Sequence, residues 1–171
     1  LHSFPTQRSS DLYCPSDAKG FKRQNVGTYQ RVRGNYVVNW GNALYDDTSA
    51  TGTASMSTTN HGPFLHQNGD RSKPGVIRFS NITDGTSNTL MLSETLMALI
   101  FPDNDWRGDI HNDDGIFRFH TVTSPNSTAP DLISSTTYFT PNNDPLMPVA
   151  LGSPQRAAAR SRHPAGVNVA M

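Results

Sequence analysis

The sequence predicts a β-dominated α+β fold, in the form of a twisted antiparallel sheet with long polar loops and short helices. Ser, Thr and Asn supply 48 of the 171 residues, and their side chains compete with helical backbone for hydrogen bonds. The chain contains one Glu and three Lys, so few strong helix formers are available for exposed helical faces. Short β-branched and aromatic segments alternate with Gly and Pro, which is typical of strands joined by turns.

Length, composition and charge limit the class of protein. A chain of 171 residues fits one domain and is long enough to bury a core. With 35% apolar and 16% charged residues it matches neither a disordered chain nor a membrane protein. No apolar run approaches the ~20 residues of a spanning helix. The net charge of zero argues against a nucleic-acid partner, because neutralising phosphates needs a basic excess.

The two ends of the chain predict a truncated domain. Residues 1–12 resemble translated adapter sequence, so we expect a non-native leader and exclude it from fold reasoning. Residues 13–171 then form a single domain. Its last alternating segment stops without a polar tail, which predicts truncation at the C-terminus as well. Since the native N-terminus is expected to be missing, the lack of a signal peptide carries no information about localisation.

Cys14 is the only cysteine, so the sequence contains no internal disulfide framework. The segment Cys14-Pro15-Ser16-Asp17 predicts a strand end that runs into a turn, because Pro fixes φ and the Ser and Asp side chains cap the turn. A buried or unpaired thiol and a disulfide to a missing segment both remain open. A nucleophile is disfavoured, because no basic residue adjoins Cys14 in the sequence to stabilise a thiolate.

Residues 82–94 form the most informative segment. Ahead of it, residues 35–41 and 76–79 have the pattern of strands. The Asp84 carboxylate is predicted to cap a short helical turn over residues 85–88, in which Gly85 adopts a φ that other residues avoid. Residues 89–92 then predict a core strand buried on both faces, and the segment ends in Glu94, the only glutamate. We interpret the turn as structural, with Thr86, Ser87 and Asn88 tying it to neighbouring strands.

The C-terminal half predicts further strands and one brief helix. Residues 116–120 alternate as a strand, and residues 121–135 have the composition of a loop. Ser153-Pro154 predicts the start of a helix that runs through residues 157–159. The helix must end near Arg162, because Pro164 disfavours helix at the preceding residue. Residues 167–171 alternate as a final strand.

Two charged segments of opposite sign leave two interpretations open. Five aspartates lie close together, as do three arginines near the C-terminus: Asp103, Asp105, Asp109, Asp113 and Asp114, and Arg156, Arg160 and Arg162. Solvated loops are the favoured interpretation and a salt-bridged contact is the alternative. Four side chains of the acidic segment also offer oxygen ligands at short spacing, as a weak calcium site would: Asp103, Asn104, Asp105 and Asp109. The pattern lacks the closing glutamate of an EF-hand, so an acidic turn is favoured over calcium.

No catalytic or firm metal-binding constellation is present in the sequence. The six histidines do not form a zinc-ligand pattern, and Gly-x-Ser-x-Gly, phosphate-loop and dinucleotide motifs are missing. We expect His163 to hydrogen-bond a loop. A buried Glu94 needs a partner, and Arg162 is the preferred one. The sequence therefore predicts a protein that is not an enzyme and has no cofactor.

Four segments, taken in order, resemble one family. They are Cys14-Pro15-Ser16-Asp17, residues 82–89, Pro141-Asn142, and residues 161–169 with the sequence Ser-Arg-His-Pro-Ala-Gly-Val-Asn-Val. They resemble the DUF1559 proteins, which are pilin-like, abundant in planctomycetes and often labelled as type II secretion protein G-like. The family's C-terminal signature is a His, nine residues and Asp-Gly. Here only eight residues follow His163, and Ala165-Gly166 stands where two glycines are usual.

The resemblance implies a function and a set of structural residues. The chain is expected to be a non-enzymatic pilin-like (pseudopilin) head, exported to the cell surface or periplasm, that acts in assembly or adhesion. A missing N-terminal helix would anchor it to the inner membrane, and its partners would be other pilin-like subunits or cell-surface components. The structural motif residues are Asp84, Gly85, Thr86, Ser87, Asn88, Glu94, Arg162, His163 and Gly166.

An alternative function is an extracellular carbohydrate-binding or carbohydrate-processing module. Trp40, Trp106 and Tyr138 could stack against sugar rings, and the Asp-rich loop could hold calcium beside them. A hydrolase is a third and weaker interpretation, because the sequence lacks a paired acid and base.

Overall fold

The β-dominated α+β class is confirmed in a computed structural model of the chain, whose described residues form mainly short strands and three 3₁₀ turns. The structure describes residues 13–17, 23–24, 31–42, 62–64, 66–67, 70–74, 77–97, 105, 107–109, 118–133, 144–152 and 155–171. The strands are β1 Arg23–Gln24, β2 Arg31–Val32, β3 Tyr36–Asn39, β4 His66–Gln67, β5 Asp70–Pro74, β6 Leu92–Glu94, β7 Arg118–Phe119, β8 Asp131–Ile133, β9 Val149–Leu151 and β10 Val169–Ala170. The 3₁₀ turns are Pro15–Asp17, Phe79–Asn81 and Thr86–Asn88.

The central sheet has four strands in the order β10-β6-β3-β7. β6 pairs antiparallel with β10 and with β3, with Val37 opposite Ser93, whereas β3 and β7 are parallel. The prediction of an antiparallel sheet is therefore wrong for its outer pair, and the sheet is mixed. A parallel pair requires a long crossover, which the chain between β3 and β7 is long enough to provide. Alternation within a strand does not indicate the direction of its neighbour.

Three further strand pairs lie outside the central sheet. β1 with β2 and β4 with β5 are antiparallel, and β8 with β9 is parallel. An isolated bridge joins Leu132 of β8 to Arg156, and another joins Arg33 to Asp109. These bridges connect the polar connecting segments to the central part of the fold.

The strands predicted at residues 35–41 and 167–171 are confirmed as β3 and β10, and the described part of 116–120 is confirmed as β7. The strand predicted at 76–79 is wrong in its described part. Ile77 and Arg78 are irregular, and Phe79 begins a 3₁₀ turn with 80% of its surface exposed. The Arg78 N–H donates to the Asn81 side chain at 2.9 Å, and such a local bond competes with strand pairing.

The segment 82–94 forms the predicted turn, but the strand begins later than predicted. Gly85 has φ of 86°, and Thr86–Asn88 is a 3₁₀ turn. Asp84 does not cap it through its carboxylate; its backbone carbonyl accepts from the Asn88 amide at 2.9 Å instead. Thr89 remains bonded to Gly85 through its hydroxyl, so β6 begins at Leu92. Its buried side chains are the polar Ser93 and Glu94, and residues 90–92 are only half-buried.

Two predictions for the C-terminal half are wrong. Residues 131–133, predicted as loop, form β8. The brief helix predicted from Ser153 is absent from its described part, because the backbone there bonds across the fold. The Ala158 N–H donates to the Asp131 carboxylate and the Arg160 N–H donates to the Glu94 carbonyl, both at 2.9 Å. Helical pairing cannot compete with these long-range bonds.

Within the described residues, an apolar cluster lies against the central sheet. Val37, Phe119 and Ala159 form its buried centre, with Leu90 and Val167 packed against them. Trp40 is also buried, and the Arg118 guanidinium lies 4.2 Å from the centre of its ring. Many other buried side chains are polar or charged. Within the described residues, no helix is long and apolar enough to cross a membrane.

Candidate functional site

Three side chains that can ligate a metal come together from distant parts of the chain. Cys14, Glu94 and His163 each place one ligand atom so that all three atoms lie within 4.8 Å of one another. His163 Nε2 is 3.4 Å from Cys14 Sγ and 3.3 Å from a Glu94 carboxylate oxygen. Cys14 and Glu94 are buried, whereas 38% of the His163 side chain is exposed. The cluster is therefore accessible from solvent on its histidine side.

The fold positions each of these side chains through backbone contacts. Cys14 directly precedes the Pro15–Asp17 turn, and its N–H donates to the Asn35 side chain at 2.9 Å. Glu94 ends β6 opposite Tyr36 of β3, so the pairing of these strands fixes the position of its backbone. The His163 N–H donates to the Ser161 hydroxyl at 3.1 Å, which orients the loop that carries the imidazole.

Glu94 is held as a carboxylate by Asn168. The Asn168 backbone N–H and side-chain amide donate to its two oxygens at 3.0 and 2.8 Å. Burial raises the pKa of Glu94, but hydrogen bonds from Asn168, Ser161 and Cys14 outweigh burial and hold the pKa below its ordinary value. The predicted pairing of Glu94 with Arg162 is wrong, because Arg162 points to two aspartates instead.

Those two aspartates attach the Cys14 turn to the rest of the fold. Arg162 pairs with Asp17 at 2.9 Å and with Asp144 at 2.6 Å. Burial lowers the pKa of Arg162, but its bonds to Asp144 and Asp17 outweigh this and raise it. The second Asp17 oxygen accepts from the Asn35 amide at 2.7 Å and from the Met97 N–H at 2.9 Å. Asp17 is 2% exposed, so the turn that carries Cys14 is anchored internally.

The cluster differs in geometry from a catalytic triad. In a triad the nucleophile contacts one imidazole nitrogen and the carboxylate contacts the other. Here Cys14 and Glu94 both approach His163 Nε2. The Ser16 hydroxyl lies 3.3 Å from the same nitrogen and 2.9 Å from Cys14 Sγ. Sulfur, nitrogen and oxygen atoms that converge on one point suit a bound cation better than a proton relay.

A second charged cluster fills the interior near β8. Arg107 pairs with Asp105 at 2.6 Å and with Asp131 at 2.7 Å, and Arg160 pairs with Asp131 at 2.8 Å. All four side chains are at most 2% exposed. Burial lowers the pKa of Arg107, but the carboxylates of Asp105 and Asp131 outweigh burial and raise it above its ordinary value.

This interior cluster corrects two expectations for the charged segments. Of the described members, Asp105, Asp109 and Arg160 are buried, so solvated loops are wrong for these three, whereas Arg156 and Arg162 are half-buried. Asp131 connects the two segments by pairing with Arg107 and Arg160. Both oxygens of Asp105 bond to Arg107, which removes this residue as a calcium ligand. Asp109 is 3% exposed. Asp103 and Asn104 lie outside the described residues.

His120 makes folding stability depend on pH. Burial, and after it the nearby Arg118 charge, lower its pKa well below 6.5. Its Nδ1 accepts from the Ala157 N–H at 3.0 Å. Between the native pKa and about 6.5 the unfolded chain binds a proton that the native chain does not, so stability falls on acidification. We expect this residue to contribute a loss of up to about 1.4 kcal/mol per pH unit below about pH 6.5.

Urea unfolding at a series of pH values measures this slope. His120→Gln keeps an acceptor for the Ala157 N–H and cannot titrate, so its stability should fall less steeply than that of the wild type over the same window. Equal slopes in the two proteins would refute the assignment.

The remaining motif residues do not join the cluster. Asp84, Thr86, Ser87 and Asn88 are exposed. Asp84 and Asn88, with Thr89 and Thr121, help to line an open groove of about 620 Å³. The Gly166 carbonyl accepts from the Asn126 amide at 3.3 Å, and a Cβ at Gly166 would meet no atom within 4 Å. The motif is thus divided between an exposed turn and the buried contacts of Glu94, Arg162 and His163.

Sequence reasoning missed the role of Cys14 because a basic neighbour was sought in the chain and His163 supplies one only in space. A signal was nevertheless available. The only cysteine, the only glutamate and His163 all lie in or directly beside segments singled out as motifs. Rare residue types that recur in separate motifs are candidates for one site.

A family model described as "Protein of unknown function (DUF1559)" matches residues 3–171 of the chain. No curated protein matches the chain significantly. The same holds for solved structures.

Proposed function

We propose, from the premise that this chain belongs to the DUF1559 family, that it is a non-enzymatic pilin-like structural domain that acts in assembly or adhesion. Its partners are other pilin-like subunits or cell-surface components. In the full-length protein the domain is exported to the cell surface or periplasm and anchored to the inner membrane by an N-terminal helix. The segment resemblances support this proposal, and one structural observation carries it.

That observation is an apolar edge strand. β10 pairs with β6 and forms one edge of the central sheet as the structure describes it. Val169 is 51% exposed and Met171 is 68% exposed. Proteins usually protect such edges with charged side chains, above all Lys, or with Pro, and residues 167–171 contain none of these. An edge of this kind suits strand addition by a second chain, in which backbone hydrogen bonds provide affinity.

The buried charges support a structural role. Four buried side chains pair with one another in the interior, namely Asp105, Arg107, Asp131 and Arg160. Charged side chains paired in this way hold polar connecting segments in place.

The carbohydrate-binding alternative is weakened, because one of its three aromatic residues is buried. Trp40 is 1% exposed and covered by Arg118, so it cannot stack on a sugar. Trp106 and Tyr138 lie outside the described residues. Among the described residues that line the open groove at Asp84 and Asn88, none is aromatic. The structural role is therefore the better supported function.

Val169→Lys tests the role of the edge strand. Association through β10 would bury this side chain, and a buried lysine without a partner charge is costly. We expect the chain to self-associate with increasing concentration, and Val169→Lys to weaken association at least tenfold, or about 1.4 kcal/mol. Light scattering over a concentration series measures both.

Thr128→Lys is the matched control. Thr128 is exposed on the segment before β8, so the substitution adds the same charge outside β10 and its partner β6. It should associate like the wild type. A wild type that stays monomeric, or equal association of all three proteins, would count against assembly through β10.

A further inference from the structure

We propose that Cys14, Glu94 and His163 form a zinc-binding site. The inference does not depend on the pilin-like function, since it rests only on side chains that the fold brings together. The three ligands come from the turn at Pro15–Asp17, from β6 and from the loop before β10. A bound ion would connect these three segments.

The distances between the ligand atoms fit a tetrahedral ion. With zinc bonds of about 2.0 Å to N and O and about 2.3 Å to S, adjacent ligand atoms lie about 3.3 Å (N to O) and about 3.5 Å (N to S) apart. The observed separations are 3.3 Å from His163 Nε2 to Glu94 and 3.4 Å from Nε2 to Cys14 Sγ. Two edges of the tetrahedron therefore exist already, and the third atom pair lies within 4.8 Å.

The chemistry of the donors selects zinc over calcium and magnesium. A thiolate with an imidazole suits zinc, whereas calcium and magnesium prefer oxygen ligands. Asn168 donates to both Glu94 oxygens, at 3.0 and 2.8 Å, which suits the carboxylate form that binds a metal. When the sulfur–zinc bond forms, the Cys14 thiol proton passes to solvent.

The surroundings provide supporting contacts and an open position. The Asn168 side-chain amide lies 2.8 Å from Glu94 and 3.0 Å from His163 Nε2. Because an amide N–H can only donate, Nε2 is the acceptor in this contact and carries the lone pair. Zinc would take that lone pair, and Asn168 would keep its bonds to Glu94. Ser16 lies beside Cys14 Sγ and His163 Nε2, where its hydroxyl can hold a water molecule in the fourth position. The exposed side of His163 gives the ion a path from solvent.

Cobalt(II) substitution tests the site directly. We expect the reduced 171-residue chain to bind one Co²⁺, with a thiolate-to-cobalt charge-transfer band and the strong visible bands of tetrahedral cobalt, and zinc to displace it. Because the chain has a single cysteine, the charge-transfer band reports on Cys14 alone.

Substitutions separate the site from adventitious binding. Cys14→Ser should abolish the charge-transfer band, and His163→Gln should abolish tetrahedral binding. Cys14→Ser replaces a buried side chain by one of nearly the same shape, and His163→Gln is at a partly exposed position. Asp84→Asn is the control, since it removes an exposed carboxylate outside the cluster and should bind like the wild type. Asn168→Ala should weaken zinc binding about 10- to 100-fold, because it removes one of the two hydrogen bonds from residue 168 that orient Glu94.

Thermal unfolding provides a second readout that needs no variant. Zinc at about 100 times its dissociation constant should raise Tm by about 5–10 °C, whereas calcium at the same concentration should not. Absence of the cobalt thiolate band in the folded wild type overturns the proposal. Zinc binding of equal affinity in Cys14→Ser and His163→Gln overturns it too, because the ion would then be bound elsewhere.

Discussion

Replacement of Asp131 by Asn is expected to lower the free energy of unfolding by about 3–5 kcal/mol. Asp131 is the shared partner of Arg107 and Arg160, and it also accepts the Ala158 N–H at 2.9 Å. In the variant, Arg107 would still pair with Asp105. Arg160 would retain only neutral acceptors, such as the Ser127 and Ala129 carbonyls at 2.8 and 2.9 Å. A guanidinium that is 1% exposed would then lack a carboxylate partner.

Urea unfolding of the two proteins at neutral pH measures this loss, which is large against the roughly 5–15 kcal/mol stability of typical domains. Asp84→Asn makes the same chemical change at an exposed aspartate and should alter stability by less than about 0.5 kcal/mol. If Asp131→Asn is as stable as Asp84→Asn, the buried charge cluster does not hold the fold together.

Gly108→Ala is expected to destabilise the protein by about 2–4 kcal/mol, for two separate reasons. Gly108 has φ of 77°, a conformation that costs a residue with a Cβ about 1–2 kcal/mol. An added Cβ would also lie 2.6 Å from the Gly34 carbonyl oxygen. That backbone cannot move freely, because the Gly34 N–H donates to the Gly108 carbonyl at 2.8 Å and Arg33 bridges to Asp109.

Gly85→Ala separates the two reasons. Gly85 has φ of 86° and ψ of 142°, a conformation largely restricted to glycine, but the nearest atom to its added Cβ is 3.8 Å away, so only a backbone cost of about 1–3 kcal/mol applies. Denaturant unfolding of both variants should show the greater loss for Gly108→Ala. Equal losses would mean that the Gly34 backbone moves aside without cost.

The central strands and the Gly85 turn could be predicted from local sequence, because their signals lie within a few residues. β3 is a β-branched and aromatic run between glycines, and the turn needs a glycine at positive φ. The parts that failed depend on distant partners. β8 has the composition of a loop, and it is a strand because β9 and Arg156 provide bonds for its backbone. The alanines at 157–159 favour a helix locally, yet bonds to His120 and Asp131 extend them.

The candidate site divides in the same way. The motif segments that contain Cys14 and His163, and the single Glu94, were visible in the sequence, but their meeting was not. Cys14 and His163 are 149 positions apart, and the Arg162–Asp17 pair joins the two segments that carry them. The expected Arg162–Glu94 pair was chemically reasonable but involved the wrong carboxylate.

The sequence by itself determined the β-dominated class, the polar turn before β6, the absence of a basic excess and the family. The tertiary structure alone decided which strands are parallel, which charges are buried and which side chains share a site. The physical reason is the distance along the chain over which each kind of interaction acts. Turn and strand preferences act over a few neighbouring residues, whereas ion pairs and converging ligand atoms depend on three-dimensional proximity that no local pattern encodes.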